Sequence, residues 1–134
     1  MNLYSSLARP LLFRLSPEVA HHLTITSLRV PLTSRLLSLG KKTPSDPITL
    51  MNLPFRNRLG IAAGLDKNAE APLAWRSLGF GFAELGTITL HPQPGNPKPR
   101  VFRYPQQQAL INRLGFPNLG AEAIATRLRH LRER

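Results

Sequence analysis

The chain has 134 residues, of which 42% are hydrophobic and none is cysteine, so it fits one small domain or part of a larger one, without disulfides or thiolate metal sites. Lysine and arginine outnumber aspartate and glutamate 18 to 7, and the formal net charge of +11 favours anionic partners such as phosphates or an anionic membrane surface. The basic residues fall singly rather than in a stripe with interleaved aromatic residues, so no nucleic-acid partner is expected.

Residues 1–42 are predicted to form a helical hairpin. Apolar residues recur at helical spacing over Tyr4–Leu15. A second helix is predicted to begin at Ser16–Glu18, where a capping serine, a proline suited to the first helical position and an acid suited to the positive end of the helix dipole follow one another. Pro31 ends or bends this helix, and a last apolar stretch stops at Gly40.

This hairpin has two interpretations that the sequence leaves open. The helices can pack on their own domain, or they can lie at a membrane interface with arginines among their leucines. No apolar run reaches the ~18 residues that a membrane span needs. Arg9 and Arg14 interrupt the apolar positions that a signal peptide would require.

Residues 43–134 are predicted to form an α/β unit after a proline-containing turn. A short hairpin is predicted at 48–50 and 53–56, and a buried strand is predicted at 59–63. A helix at 73–79 and a second buried strand at 82–90 are predicted to follow. A strand, a helix and a strand in about 30 residues predict parallel strands joined by a right-handed crossover.

The segment that follows is rich in proline and cannot be regular at first. Within it, "RVFRY" and "ALIN" are predicted to pair as a small hairpin, and such a long connection is typically functional. A final helix is predicted with Ile124, Leu128 and Leu131 on one face and Asn118 as its possible cap.

The stretch "GIAAGLDKNAE" (60–70) places small residues at the predicted carboxyl end of a buried strand, where parallel α/β folds bind ligands. Such residues form either a floor on which a ring or phosphate touches the backbone, or a tight strand–helix contact, and spacing alone does not decide between them. Gly86 and Thr87 are expected at the equivalent place on the next strand. Glu84 is expected to be buried, more readily in a structural ion pair than in catalysis.

Polar residues elsewhere add weaker signals. Asn112, Arg113 and Gly115 form either a substrate-facing loop, since an asparagine both donates and accepts, or an ordinary turn. His21 and His22 lie on the second helix, where a histidine is more commonly an ordinary surface residue than a ligand. No group of His, Asp and Glu has metal-ligand spacing, so no metal is expected.

Several long motifs, in order and mutually spaced, carry a family resemblance from about residue 10 to the end of the chain. They are "SPEVAHHLT", "NRLGIAAGLDKNAE", "LGFGFAELGTITLHPQPGNPKPRVFR" and "ALINRLGFPNLGA". Together they resemble the amino-terminal part of the membrane-associated, quinone-dependent dihydroorotate dehydrogenases. The leading helical hairpin also resembles the feature that separates this class from the soluble ones.

The resemblance implies an FMN enzyme on a TIM-type (β/α)8 barrel, which oxidises dihydroorotate to orotate in pyrimidine biosynthesis and passes the electrons to a quinone. It implies flavin contacts from Ala63, Gly64, Leu65, Asp66, Lys67 and Thr87. It implies substrate contacts from Lys67, Asn112, Arg113, Leu114, Gly115 and Phe116, with Asn112 the best direct ligand. His21 and Arg103 match positions near the quinone passage, and the hairpin would admit quinone from the membrane, at the cytoplasmic face if the protein is bacterial.

A TIM barrel takes ~250 residues. The resemblance therefore implies that residues 43–134 are only the first part of the barrel and that the catalytic serine base lies beyond Arg134. We expect residues 1–134 alone neither to hold flavin nor to turn over. The alternative function is a non-catalytic membrane-binding or interaction module derived from the enzyme.

Overall fold

The computed structural model describes residues 4–39 and 45–132, apart from the side chains of Ser34 and Arg132. The helices are a π-helical turn (Tyr4–Ala8), α1 (Arg9–Phe13), α2 (Pro17–Leu28), α3 (Pro31–Ser38), α4 (Pro72–Ser77) and α5 (Ala121–Arg132). The strands are β1 (Ile48–Leu50), β2 (Leu53–Phe55), β3 (Gly60–Ile61), β4 (Phe82–Ala83), β5 (Val101–Tyr104) and β6 (Ala109–Asn112). The predicted helix end at Gly40 and the predicted boundary at 42/43 lie outside the described residues.

The helical amino-terminal segment is confirmed, and its second helix starts where the sequence predicts. Ser16 is the N-cap of α2, and its hydroxyl accepts from the Val19 amide at 3.4 Å. Pro17 occupies the first helical position, where a missing amide proton costs nothing. Pro31 has the same role in α3, so the chain bends between the two helices and continues as a further helix.

One apolar core joins this helical segment to the α/β unit. Its buried members come from α2, from β3, and from α4 with the residue before it, and they include the chain's single tryptophan: Ile25, Leu28, Ile61, Ala71, Ala74 and Trp75. The Phe80 ring meets Trp75 edge to face at 6.4 Å. The inner side of α2 therefore packs on the rest of the chain.

The outer sides of the same helices are apolar and exposed. Leu7, Leu11, Leu32 and Leu36 each leave more than half of their surface uncovered, at 58%, 54%, 63% and 58%. Within the part of the chain that the structure describes, no helix is both long enough and apolar enough to cross a membrane.

The predicted strand–helix–strand unit is confirmed, with β3 and β4 parallel and α4 between them. The second strand is much shorter than the predicted 82–90. The register pairs only Gly60 with Phe82 and Ile61 with Ala83, because β3 then turns away into a loop. Beyond β4 the pairing continues through an isolated bond, from the Glu84 amide to the Ile61 carbonyl at 2.9 Å.

Two antiparallel hairpins flank this unit, both at the predicted places. In the first, β1 pairs with β2. In the second, β5 pairs with β6, so that Val101 faces Asn112 and Tyr104 faces Ala109. The irregular segment before β5 is tied to the segment after β6 by paired backbone bonds between Gln93 and Asn118, at 2.9 and 3.0 Å.

Helix α5 begins at Ala121 and buries Ile124 almost completely, at 1% exposed. The expectation that Asn118 caps it is wrong. Its side-chain oxygen accepts from the amides of Gly120 and Thr89, at 2.9 and 3.2 Å, and so braces the loop before the helix. The buried Asn118 carboxamide therefore joins two segments of the chain, the one at Thr89 and the one that leads into α5.

Candidate functional site

The small residues of the 60–70 stretch divide into two groups with different roles. A β-carbon on Gly60 would lie 2.2 Å from the Phe82 ring, so this glycine serves packing. A β-carbon on Gly64 would have no neighbour within 4 Å, and Ala62 and Ala63 are exposed. Both interpretations of the stretch therefore hold, packing at its start and an open floor at its end.

The ends of the two parallel strands meet at this floor. The Gly64 amide donates to the Gly86 carbonyl at 2.9 Å, and Thr87 follows with its side chain exposed. The expectation of a buried Glu84 is wrong, since this side chain is exposed, and among the described residues it forms no ion pair. Strands β3 and β4 pair over only two residues each, and Glu84 lies just beyond the paired part. Within the described residues its side chain is therefore left uncovered.

Asp66 holds the loop that carries the floor. It is 2% exposed, and its carboxylate accepts from the Glu70 amide at 2.6 Å, the Ala71 amide at 2.9 Å and the Trp75 indole at 3.0 Å. These bonds fasten the loop to the start of α4. These bonds therefore fix the residue that directly precedes Lys67.

A pocket of about 430 Å³ opens between α2, this loop and the β5–β6 hairpin. Seven of the site residues predicted from the resemblance line it: His21, Gly64, Leu65, Asp66, Lys67, Arg103 and Leu114. Six others do not line it: Ala63, Thr87, Asn112, Arg113, Gly115 and Phe116. The tertiary structure thus brings the lysine loop together with the helical segment.

Lys67 is the half-buried cation of this pocket. Within the described residues its ammonium has no hydrogen-bond or ion-pair partner. Burial lowers its pKa below the ordinary 10.5, the neighbouring Arg100 lowers the pKa further, and the Glu18 carboxylate opposes both. A cation that lacks a partner and faces a pocket is available to an anionic ligand.

The two residues predicted for the quinone passage each connect the helices to the site. The Nε2 atom of His21 lies 2.6 Å from the Leu65 carbonyl oxygen. Arg103 donates to the Leu15 carbonyl at 3.3 Å, and its guanidinium lies 4.4 Å from the centre of the Phe13 ring. Both side chains therefore stand where the helical segment meets the pocket.

The 112–116 segment turns sharply beside the pocket. Gly115 has φ +69°, and a β-carbon there would come within 2.8 Å of Asn96. Asn112 and Phe116 are exposed, whereas the Arg113 carbonyl accepts from the Asn96 side chain at 2.7 Å. The backbone is thus held from the 91–100 side, and the Asn112 and Phe116 side chains remain accessible.

Sequence reasoning missed four charged residues of the pocket, Glu18, Glu70, Lys98 and Arg100. Glu18 was assigned only to the helix dipole, yet it pairs with Arg100 at 2.9 Å, across 82 positions of sequence. The basic run "PKPR" within a matched motif was the available signal. The described residues contain no group of His, Asp and Glu that could hold a metal ion.

An open floor at the carboxyl ends of parallel strands is the usual place for a ligand site in an α/β fold. The family model described as dihydroorotate dehydrogenase matches residues 47–134. The chain belongs to the dihydroorotate dehydrogenase family, which confirms the identification made from the sequence motifs.

Known relatives agree with this assignment. A dihydroorotate dehydrogenase (quinone) from Gloeobacter violaceus is 54% identical over 133 residues, which are 96% of this chain and 37% of that protein. One from Aromatoleum aromaticum is 52% identical over 124 residues, which are 92% of this chain and 35% of that protein. A crystal structure of the Eimeria tenella DHODH in complex with ferulenol superposes with a TM-score of 0.67 at 41% identity, covering 86% of this chain and 30% of that one. The chain thus spans about a third of the length of these relatives.

Proposed function

We propose that the chain supplies the flavin floor, part of the substrate site and the quinone entrance of a quinone-dependent dihydroorotate dehydrogenase on a TIM-type barrel. The enzyme would oxidise dihydroorotate to orotate in pyrimidine biosynthesis and reduce a quinone. The observation that carries the proposal is the pocket in which Lys67, His21 and Arg103 meet beside the open floor at Gly64. Family membership supports the same activity.

The residues at the strand ends fit FMN. Gly64 has open space where a β-carbon would stand, and Ala63 and Thr87 are exposed beside it, so a flat ring can approach the backbone. Ala63, Gly64, Leu65, Lys67 and Thr87 would hold the cofactor, while the Asp66 carboxylate is already used within the loop. When bound, FMN accepts a hydride and supplies the redox chemistry.

Lys67 is proposed to serve the cofactor and the substrate together. Its ammonium would stabilise negative charge at the edge that they share and would bind the substrate carboxylate. Asn112 would donate to and accept from the substrate, with Arg113, Leu114, Gly115 and Phe116 forming the wall beside it. The fixed backbone of this wall supports such a role, because a positioned group loses little entropy when the substrate binds.

The quinone passage is proposed to run between the helical segment and the β5–β6 hairpin, past His21 and Arg103. The exposed leucines of the helices would lie in the headgroup region of a membrane, and the basic residues among them would attract anionic lipid. This gives peripheral association, at the cytoplasmic face if the protein is bacterial.

A chimeric enzyme tests the activity. Residues 1–134 replace the matching part of the Gloeobacter violaceus relative. We expect the chimera to bind FMN and to reduce a quinone with dihydroorotate, and expect Lys67→Ala and Asn112→Ala to reduce kcat/KM strongly. Asp46→Asn, at an exposed ion pair whose residues do not line the pocket, is the matched control. A folded, flavin-loaded chimera in which Lys67→Ala keeps full activity would contradict the proposal.

The exposed apolar helices favour the second candidate, a non-catalytic membrane-binding module. Flotation of the chain with anionic vesicles tests membrane binding, and Leu7, Leu11 and Leu36 changed to serine should release it. The matched control changes three exposed apolar residues of the β1–β2 hairpin, Leu50, Met51 and Leu53. Membrane binding together with an inactive, folded chimera would favour the module. Equal release by both triple variants would exclude a specific role for the helices.

A further inference from the structure

Among the carboxylates that line the pocket, Glu18 is the one that pairs with pocket cations. Glu18 Oε1 lies 2.9 Å from both Nε and Nη2 of Arg100 and 4.0 Å from the Lys98 ammonium. The Arg100 side chain is 10% exposed and that of Glu18 is 23% exposed, so water screens their attraction only in part. The first turn of α2 is thus joined to the segment that leads into β5.

Arg100 is fixed by more than this ion pair. Its Nη1 atom donates to the Pro94 carbonyl at 2.6 Å and the Asn96 carbonyl at 3.0 Å, and its own carbonyl accepts from the Arg113 amide at 2.8 Å. The guanidinium therefore cannot move away from the pocket without breaking several bonds. Its charge is a permanent part of the surroundings of Lys67.

Charged and titratable side chains from three parts of the chain line the pocket together with Lys67. Helix α2 contributes Glu18, His21 and His22; the segment from 98 to 103 contributes Lys98, Arg100 and Arg103; the lysine's own loop contributes Asp66 and Glu70. Two of the three carboxylates are used elsewhere, because Asp66 accepts from backbone and indole donors and Glu70 faces Arg29 at 3.5 Å. Glu18 is the carboxylate that remains to balance the cations.

We propose that Glu18 is a positioning residue, whose carboxylate pairs with Arg100 and balances the positive charge around Lys67. The helical segment thereby contributes to the electrostatic surroundings of the lysine to which the proposed function gives a binding role. The inference rests on the proposed function only for that role. The lowered pKa of Lys67, with Arg100 and Glu18 acting on it in opposite directions, agrees with this charge balance.

Competitive acetylation of the 134-residue chain, followed by mass spectrometry across a range of pH, tests the proposal without flavin or substrate. Only the neutral amine reacts, and the chain has four lysines, at 41, 42, 67 and 98. We expect Glu18→Gln to move the Lys67 profile to lower pH and to raise its labelling near neutral pH about threefold or more, since one screened charge is removed. Glu70→Gln is the matched control and should leave the profile in place.

Unfolding gives a different signature, since Lys67 would then label as it does in urea, with an ordinary lysine profile. If Glu18→Gln unfolds, Glu18→Asp replaces it, because aspartate keeps an acid in the first turn of α2 but withdraws the carboxylate by one methylene. A smaller shift to lower pH is expected there. A folded Gln or Asp variant with the wild-type Lys67 profile would overturn the proposal, as would an equal shift in Glu70→Gln. Failure here leaves the chimera result untouched, so the two proposals are separable.

Discussion

Replacing Asp66 with alanine is expected to destabilise the chain more than any change at an exposed acid. The carboxylate is 2% exposed and accepts from three donors, two of which, the Ala71 amide and the Trp75 indole, belong to buried residues. Alanine leaves both of these donors without a partner. Water reaches the Glu70 amide more easily, since that residue is only partly buried.

The expected loss follows from the two buried donors. Each costs about 1–3 kcal/mol when it is left unsatisfied, so Asp66→Ala should lower the free energy of unfolding by about 2–6 kcal/mol. A small domain is typically stable by about 5–15 kcal/mol, so this variant stands near the limit of folding. Asp66→Asn keeps one acceptor oxygen and should lose less, about 1–3 kcal/mol.

Urea unfolding at pH 7 measures these losses of stability, with the fluorescence of Trp75, the chain's single tryptophan, as the probe. The matched control is Asp46→Asn, which breaks an ion pair with Arg58 whose partners are 60% and 66% exposed. Such a pair is worth about 0–1 kcal/mol. The reasoning fails if Asp66→Ala stays within about 1 kcal/mol of wild type, or if the control costs as much.

Two further outcomes are expected from the glycines and from Lys67. Gly95→Ala should cost clearly more than Gly64→Ala in the same urea assay. Both residues have positive φ, which costs alanine about 1–2 kcal/mol of strain. Of the two, only Gly95 would place its β-carbon against backbone, at 2.3 Å from the Leu114 carbonyl oxygen. Equal losses of stability in the two variants would contradict this account. Lys67→Met should stabilise the chain at pH 7, and its advantage should shrink as pH rises toward 10.5. Lys67 binds its proton more tightly in the unfolded chain than in the folded chain, so the free energy of unfolding of the wild type rises with pH over that window. A stability gain of Lys67→Met that does not change with pH would refute the lowered pKa.

Local signals in the sequence were sufficient for most elements. The Ser16 cap and the two helix-starting prolines act within one turn, so the start of α2 needed no tertiary information. The β5–β6 hairpin and the parallel strand pair also followed from short-range pattern. The length of the second strand did not, because a strand ends where its partner turns away, and β3 turns after Ile61.

The sequence by itself determined the family, through long motifs in fixed order, and it located the lysine loop and its small residues. Only the tertiary structure decided which glycine packs and which lies open, because a β-carbon on Gly60 would meet a ring 22 positions away while one on Gly64 would have no neighbour within 4 Å. Only the fold could show that Glu18 pairs with Arg100, since an ion pair across 82 positions leaves no mark in local spacing. Charge balance around Lys67 is a property of elements that meet in space, and the sequence lists these charges without their distances.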